Sequence, residues 1–544
     1  MRDIFIVSLA CLLAYSVFGE EREIASCDDL KAVIGEGLLT VAGETKLSFV
    51  DDTIKCNPGD HPTTVYVGAG HKLVLTDSGK DDEVTLTNVR YTVAGDDARL
   101  VVETRIAMKG ITWPNGEDGA ALSITTGEAV FQKRALFEDM KGSKNGGAVS
   151  VKTGGKLTFE DKVTFKRIES EADGGAIFLA ESSATFKMDA LFIDNKAWDH
   201  GGAMFLDDAS TTFEGVAVLE GNKAHDDGGA IYLFDSSVAT FEKEATFKGN
   251  EAQWFGGALA SLDSSCTFSS ISSFTANKAQ ISGGAMFLVN ASATFKVGSV
   301  LEGNEAEFEG GAICLRNDGS ITFEGETEFE GNRAQRDGGA MSLRAASVTF
   351  SRKVVFEGNE AQDSGGAMFL VGRSSATFKE EAMFKDNEAQ VFGGALAMFL
   401  DSTCTFGDDI SFMDNKAQGV DCTLEGRGGH VYAKDSGTAI VFEEETSAEF
   451  SGGKADIGGA IASFDGADVI IEGTAKFAGN VGRKCGDAIA TDDTGTFTEA
   501  AGSQVSCSDN NTSGSTLPSK CQFGSKMLKS LGTEAPQHLL YKVS

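Results

Sequence analysis

Residues Gly228 to Glu251 read GGAIYLFDSSVATFEKEATFKGNE, and this stretch decides the fold. It holds three apolar pieces of strand length: Ala230 to Phe234, Val238 to Phe241 and Ala245 to Phe247. Turn-forming and charged residues separate them, none is long enough for a helix, and no 3.6-residue period links them. The same unit recurs along the chain. A Gly-Gly-Ala motif starts at Gly146, Gly174, Gly201, Gly228, Gly256, Gly283, Gly310, Gly338, Gly365 and Gly393, always 27 or 28 residues apart. A fixed period in this range signals a solenoid. Three short strands and three turns per period predict an all-β protein, a right-handed parallel β-helix with capped ends, the hand following the general rule for parallel crossovers.

In such a coil each strand pairs with its equivalent in the next coil, about 4.8 Å away, so like residues stack. Two columns read as core. One runs from Phe159 through Phe213 and Phe241 to Phe406, the other from Phe165 through Leu219 and Phe247 to Phe412. Three residues after the second column stands Asn, from Asn195 and Asn222 to Asn415, suited to a left-handed corner and to amide ladders. Met140 and Ile168 stand there in early coils and Gly453 in a late one, as expected of degenerate terminal coils. One interval is longer: 35 residues separate Gly393 from the variant Gly428-Gly429-His430, with the surplus around Gly419 to Arg427. Such an insertion reads either as neutral loop drift or as a loop on a binding face.

Composition narrows the function classes. The 544 residues carry a net charge of −34, so nucleic acid, which needs clustered cations, is not an expected partner. Ile4 to Phe18 is an apolar run behind Arg2 and reads as a secretory signal over residues 1–19. No later run is long enough to span a bilayer as a helix. A secreted or cell-surface location follows, with Cys27–Cys56 and Cys507–Cys521 as the favoured disulfides and Cys422–Cys485 as a further pairing. The expected organisation is an N-terminal cap with irregular first coils over 20–117, the repeat over 118–490, and a C-terminal cap and tail over 491–544. A short helix from Cys27 to Ile34 is expected to cover the first coil, and another from Ser525 to Leu531 to lie near the end.

Three constellations bear on chemistry. Glu181, Asp208, Asp235 and Asp263 each stand eighth from the first Gly of their coil, followed by Asn290 and Asn317. Stacked carboxylates repel or recruit a cation, and Ca²⁺ is the one cofactor the column offers; the plainer reading is Asx-type turn capping. Asp207, Asp208, Asp226 and Asp227 in neighbouring coils, near His200 and His225, are candidates for paired-carboxylate hydrolysis. The uniformity of the coils argues against an active site, so no catalytic residue is assigned. Aromatic residues form the third set. Trp198, Trp254, Phe255, Phe308 and Phe392 precede Gly-Gly, while Phe178, Phe205, Tyr232, Phe287, Phe369 and Tyr432 alternate with inward positions and are expected to face outward. Exposed aromatics suit protein or glycan contact; packing beneath loops and long side chains is the alternative.

Two tetrapeptides carry a family likeness. Gly174-Gly175-Ala176-Ile177 with Phe192-Ile193-Asp194-Asn195, and Gly228-Gly229-Ala230-Ile231 with Phe247-Lys248-Gly249-Asn250, resemble the repeats of chlamydial polymorphic membrane proteins. The resemblance covers roughly residues 118 to 490 and implies a β-helical adhesin passenger that binds extracellular protein or glycan. Barrel-length alternating strands, which the family carries at its C-terminus, are not seen before Ser544, so self-anchoring is not expected. The expected function is therefore an adhesin-like or structural surface protein without enzymatic activity. A polysaccharide lyase or glycoside hydrolase of the pectin-lyase-like class is the alternative.

Overall fold

The order of residues in one coil dictates its path. In the coil that starts at Gly228, strands run over Ile231–Phe234, Val238–Phe241 and Ala245–Lys248, with a two-residue strand at Glu251–Ala252. Strand Ile231–Phe234 pairs in parallel with Met204–Asp207 before it and Leu259–Leu262 after it, without a register slip. The other strands pair likewise, which builds three parallel sheets, one per side of the coil. The protein is thus a parallel β-helix with three sheets, as the period predicts. The third sheet departs in detail from three strands per coil, because it breaks at Asn into a four-residue and a two-residue strand. Where Met140 and Ile168 replace Asn, the strand runs unbroken over Ala135–Gly142 and Val163–Ser170.

The computed structural model describes residues 20–35, 43–56, 63–77, 83–113, 117–142, 144–419, 425–485, 488–491, 494–499 and 503–508. The expected signal segment, Cys422, Cys521, the disulfides that use them and the helix from Ser525 lie outside the described residues. Two units of coils are distinguished, Met1–Glu360 and Ala361–Ser544.

Inside the first unit the two apolar columns meet. Phe241 stacks on Phe213 and on Phe268, both at 4.8 Å, and meets Phe247 edge-on at 5.6 Å. Each fully buried ring contributes about 1.5–3 kcal/mol, and each ring pair about 0.5–1.5 kcal/mol more. The second unit repeats the arrangement, with Phe412 stacked on Phe450 at 5.0 Å and Phe450 on Phe477 at 4.7 Å.

Polar corners hold the coils at a fixed pitch. Asn250 is fully buried and gives its side-chain amide to Leu219 O at 2.9 Å and Asn277 Oδ1 at 3.0 Å. Its own Oδ1 accepts both the backbone N–H and the side-chain amide of Asn222 at 3.0 Å. Gly229 is required by closeness: a Cβ there would lie 2.0 Å from Gly257 O.

The N-terminal helix forms over Cys27–Gly35. Ser26 caps it by accepting the Asp29 N–H, while Asp29 accepts from Ser26 Oγ and from Ala25 N–H. It packs against the strands Glu20–Ile24 and Thr63–Val67, burying Leu30 and Val33, and the Cys27–Cys56 disulfide ties it down.

Candidate binding corner

Between the last two-residue strand of each coil and the next Gly-Gly lies a three-residue turn. In the first unit it reads Trp198-Asp199-His200, His225-Asp226-Asp227, Gln253-Trp254-Phe255, Gln280-Ile281-Ser282, Glu307-Phe308-Glu309 and Gln335-Arg336-Asp337. The flanking Asn-x-Ala and Gly-Gly-Ala keep their pattern, so this corner varies while the scaffold around it does not. Trp198, Trp254 and Phe308 stand out of it, 53, 45 and 39 % exposed.

The third residue of the turn behaves differently. Parallel bridges run Phe255 to Ser282, Ser282 to Glu309 and Glu309 to Asp337, and this column folds over the outer face of the first sheet. That geometry corrects the outward aromatic set. Phe178, Phe205, Tyr232, Phe287, Phe369 and Tyr432 do point away from the core, yet all are buried, Tyr232 being only 9 % exposed. His200 stacks on Tyr232 at 4.7 Å and Phe255 on Phe287 at 4.3 Å. In the second unit Phe392 stacks on Tyr432 at 4.5 Å. Tyr232 is therefore a packing residue, and Phe255 and Phe392 are half-buried covers. Alternation along a strand identifies the side of the sheet, but not what a neighbouring turn lays over it.

Two charged networks occupy this corner of the first unit. Asp227 accepts the Phe255 N–H at 3.1 Å, and its carboxylate lies 3.5 Å from His200 Nδ1. Asp173 accepts the His200 N–H at 3.2 Å. Burial raises both carboxyls, and that of Asp227 reaches about 6 although His200 and the Phe255 N–H oppose the shift. Three coils beyond Asp227, Glu309 is 1 % exposed and receives Arg344 through Nε at 2.8 Å and through a second, shorter contact from the same guanidinium. Arg316 reaches the same carboxylate at 3.4 Å while lying over Phe255 and Phe287, 5.7 and 5.4 Å from their centroids. Burial would raise the Glu309 carboxyl, but the hydrogen bond from Arg344 and the charges of Arg344, Arg316 and Arg336 hold it below its ordinary value. Sequence reasoning missed this network. Its signal was a pair of Arg at the end of the first strand, Arg316 and Arg344, matched with a carboxylate at the third turn position.

The acidic column lies at another corner. Glu181, Asp208, Asp235 and Asp263 have φ of 48, 45, 42 and 53°, followed by Asn290 and Asn317 at 48°. All six are exposed and turn the chain from the first sheet to the second in the left-handed conformation that Asp and Asn tolerate best. Asn290 donates to Asp263 within the column. Among the described residues, no group of three or more His, Cys, Asp or Glu is arranged to hold a metal ion. Asp207 ends the first strand of its coil and Asp208 follows it, whereas Asp226 and Asp227 precede the first strand of the next, so the four carboxylates form two separate pairs at different corners. A shallow, open cavity of about 310 Å³ beside Asp263, Asn290, Ser265 and Ser292 is lined by polar groups and no aromatic ring.

No known protein family, curated protein or solved structure matches the chain. Among the described residues, no helix is long and apolar enough to cross a membrane.

Proposed function

We propose that this chain is a secreted or surface-displayed, adhesin-like binding protein that docks extracellular protein through the variable corner of its coils. One observation carries the reading: Trp198, Trp254 and Phe308 are exposed where sequence varies, on a ladder that otherwise repeats. Trp and Arg dominate the energetic centres of protein interfaces, and rigid coils present them without an ordering cost. The resemblance of the Gly-Gly-Ala-Ile and Phe-x-x-Asn pairs to chlamydial polymorphic membrane protein repeats supports the same reading. So does the Cys27–Cys56 disulfide, which suits an oxidising compartment.

The test is an array of extracellular-matrix proteins and glycans probed with the full chain and with Trp254→Ala/Phe308→Ala. Protein binding lost in the double variant, with an unchanged melting curve, is expected; binding indifferent to both residues would sink the proposal. The competing reading, a polysaccharide-cleaving enzyme, is favoured by the raised carboxyls of Asp173 and Asp227 beside His200. Turnover of any polymer that Asp227→Asn abolishes would replace the binding function with that one.

A further inference from the structure

The arginines of the corner are not equally neutralised. Arg344 takes the buried Glu309 carboxylate with two contacts, which leaves Arg316 a single long one at 3.4 Å. Arg316 Nε is buried without a hydrogen-bond partner. The guanidinium is nevertheless fixed, stacked over Phe255 and Phe287 and about a quarter exposed. One coil further, Arg336 lies over the Phe308 ring at 4.7 Å and reaches the buried Asp337 at 3.4 Å, again long for an ion pair. The guanidinium groups of Arg344, Arg316 and Arg336 thus share the buried carboxylates of Glu309 and Asp337, in a chain whose net charge is −34. Ordered, quarter-exposed arginines against aromatic rings are pre-organised for a planar anion, because the side-chain entropy of holding them is already spent. Trp254 and Phe308 stand on the same corner two coil rises apart, about 9.6 Å.

We infer that Arg316 and Arg336, with Trp254 and Phe308, form a docking site for an acidic segment of a protein partner, whose carboxylates pair with the two guanidiniums while its apolar side chains cover the rings. The inference rests on the docking function proposed above and names the partner's chemistry. Charge complementarity selects the occupant: a carboxylate-bearing strip meets the cationic patch, and its apolar side chains meet the exposed rings.

The test measures fluorescence polarisation of a labelled octapeptide alternating glutamate and phenylalanine, its glutamine counterpart, and a uronate oligosaccharide, each against the full chain. The glutamate peptide is expected to bind at least about tenfold tighter than the glutamine one, with the difference shrinking at high salt. Arg316→Gln/Arg336→Gln should remove that preference while Lys248→Gln, which removes an exposed cation from the third strand of a coil, keeps it; both variants leave the Glu309–Arg344 pair in place, and melting curves check the fold. Equal binding of both peptides, or preference for the uronate oligosaccharide, overturns the inference. If the peptides fail while matrix-protein binding still depends on Trp254 and Phe308, the inference falls and the docking function stands. Loss of both defeats the docking function as well.

Discussion

The imidazole of His430 fills the gap that Gly453 leaves in the asparagine ladder. In the second unit the ladder runs from Asn387 to Asn415, and the next coil has glycine at the ladder position. His430 replaces the alanine of a Gly-Gly-Ala motif and projects into that space, with Nδ1 2.9 Å from Asn415 Nδ2 and Nε2 3.1 Å from Asn480 Oδ1. Asn415 donates to Nδ1, so the proton sits on Nε2 and is given to Asn480. A Cβ at Gly453 would lie 2.6 Å from His430 Nε2 and 2.2 Å from Gly459 O. His430→Ala therefore leaves a cavity and unpaired amides, and should cost about 2–4 kcal/mol in denaturant melts. Gly453→Ala should cost a similar amount, and the double variant less than the sum, because removing the ring relieves one of the two clashes. Strict additivity would show that the two sites are independent.

Two groups should shape stability against pH with opposite signs. Burial depresses His430 to about 3, so the unfolded chain, titrating near 6.5, binds the proton first. Its contribution is complete above pH 6.5 and is lost as the pH falls toward 3. Asp227, raised to about 6, keeps a proton that the unfolded chain releases near 3.8. Its burial therefore costs stability as the pH climbs from 3.8 to 6, and the penalty is full above that. Asp227→Asn should raise the melting temperature at pH 7 and leave it unchanged at pH 3.5. A rise of equal size at both values would contradict the raised carboxyl.

Asn250→Ala should be among the most damaging single changes in the first unit. It takes the Asn250 side-chain contacts from Leu219 O and the Asn222 backbone N–H, and one of two acceptors from the Asn222 amide, inside the core; Asn277 Oδ1 keeps the backbone N–H of residue 250. The expected loss is about 3–5 kcal/mol in a chemical melt, against about 0.5 kcal/mol or less for a solvent-facing change such as Lys248→Ala.

Glu309→Gln removes a buried negative charge and replaces the carboxylate that Arg344 and Arg316 share with a neutral amide. A loss of about 3–5 kcal/mol is expected. Glu309→Ala combined with Arg344→Ala should fall well short of the sum of the single losses; an additive result would mean the pair contributes nothing jointly.

Asp235 tests the acidic column. At φ 42° a β-branched residue is strained, so Asp235→Val should cost about 1–2 kcal/mol while Asp235→Asn changes little. Melting in the presence of calcium or of a chelator should coincide for the parent and for Asp235→Asn. A calcium-dependent rise in the parent alone would assign the column to a cation.

Much of the fold was legible because a parallel coil converts sequence period directly into contact. Phe213 and Phe241 are 28 residues apart in sequence and 4.8 Å apart in space, and no further information was needed to place them together. The helix at Cys27–Gly35 and its disulfide were legible for local reasons, two aspartates in the first turn and a nearby cysteine. The corner was legible only in part. Trp198, Trp254 and Phe308 stand exposed as their turn positions implied, whereas Tyr232 and Tyr432 lie beneath the residues that end the turn. What covers a strand's outer face depends on the path of a different turn, which no period encodes. The Glu309 network and the His430–Gly453 exchange escaped for a related reason. Each compensates one irregular residue with another in a different part of the coil, so both partners look like unrelated exceptions until the backbone is closed.

The three-residue turn before each Gly-Gly has an evolutionary corollary. Because Asn and Gly-Gly fix the chain on either side of it, and its third residue alone is committed to covering the first sheet, its first two residues can be rewritten one coil at a time at little thermodynamic risk. Whole coils are also interchangeable units of nearly constant length, so duplication or exchange between repeats would shuffle recognition elements like interchangeable type on a fixed press, leaving the machine that holds them unaltered.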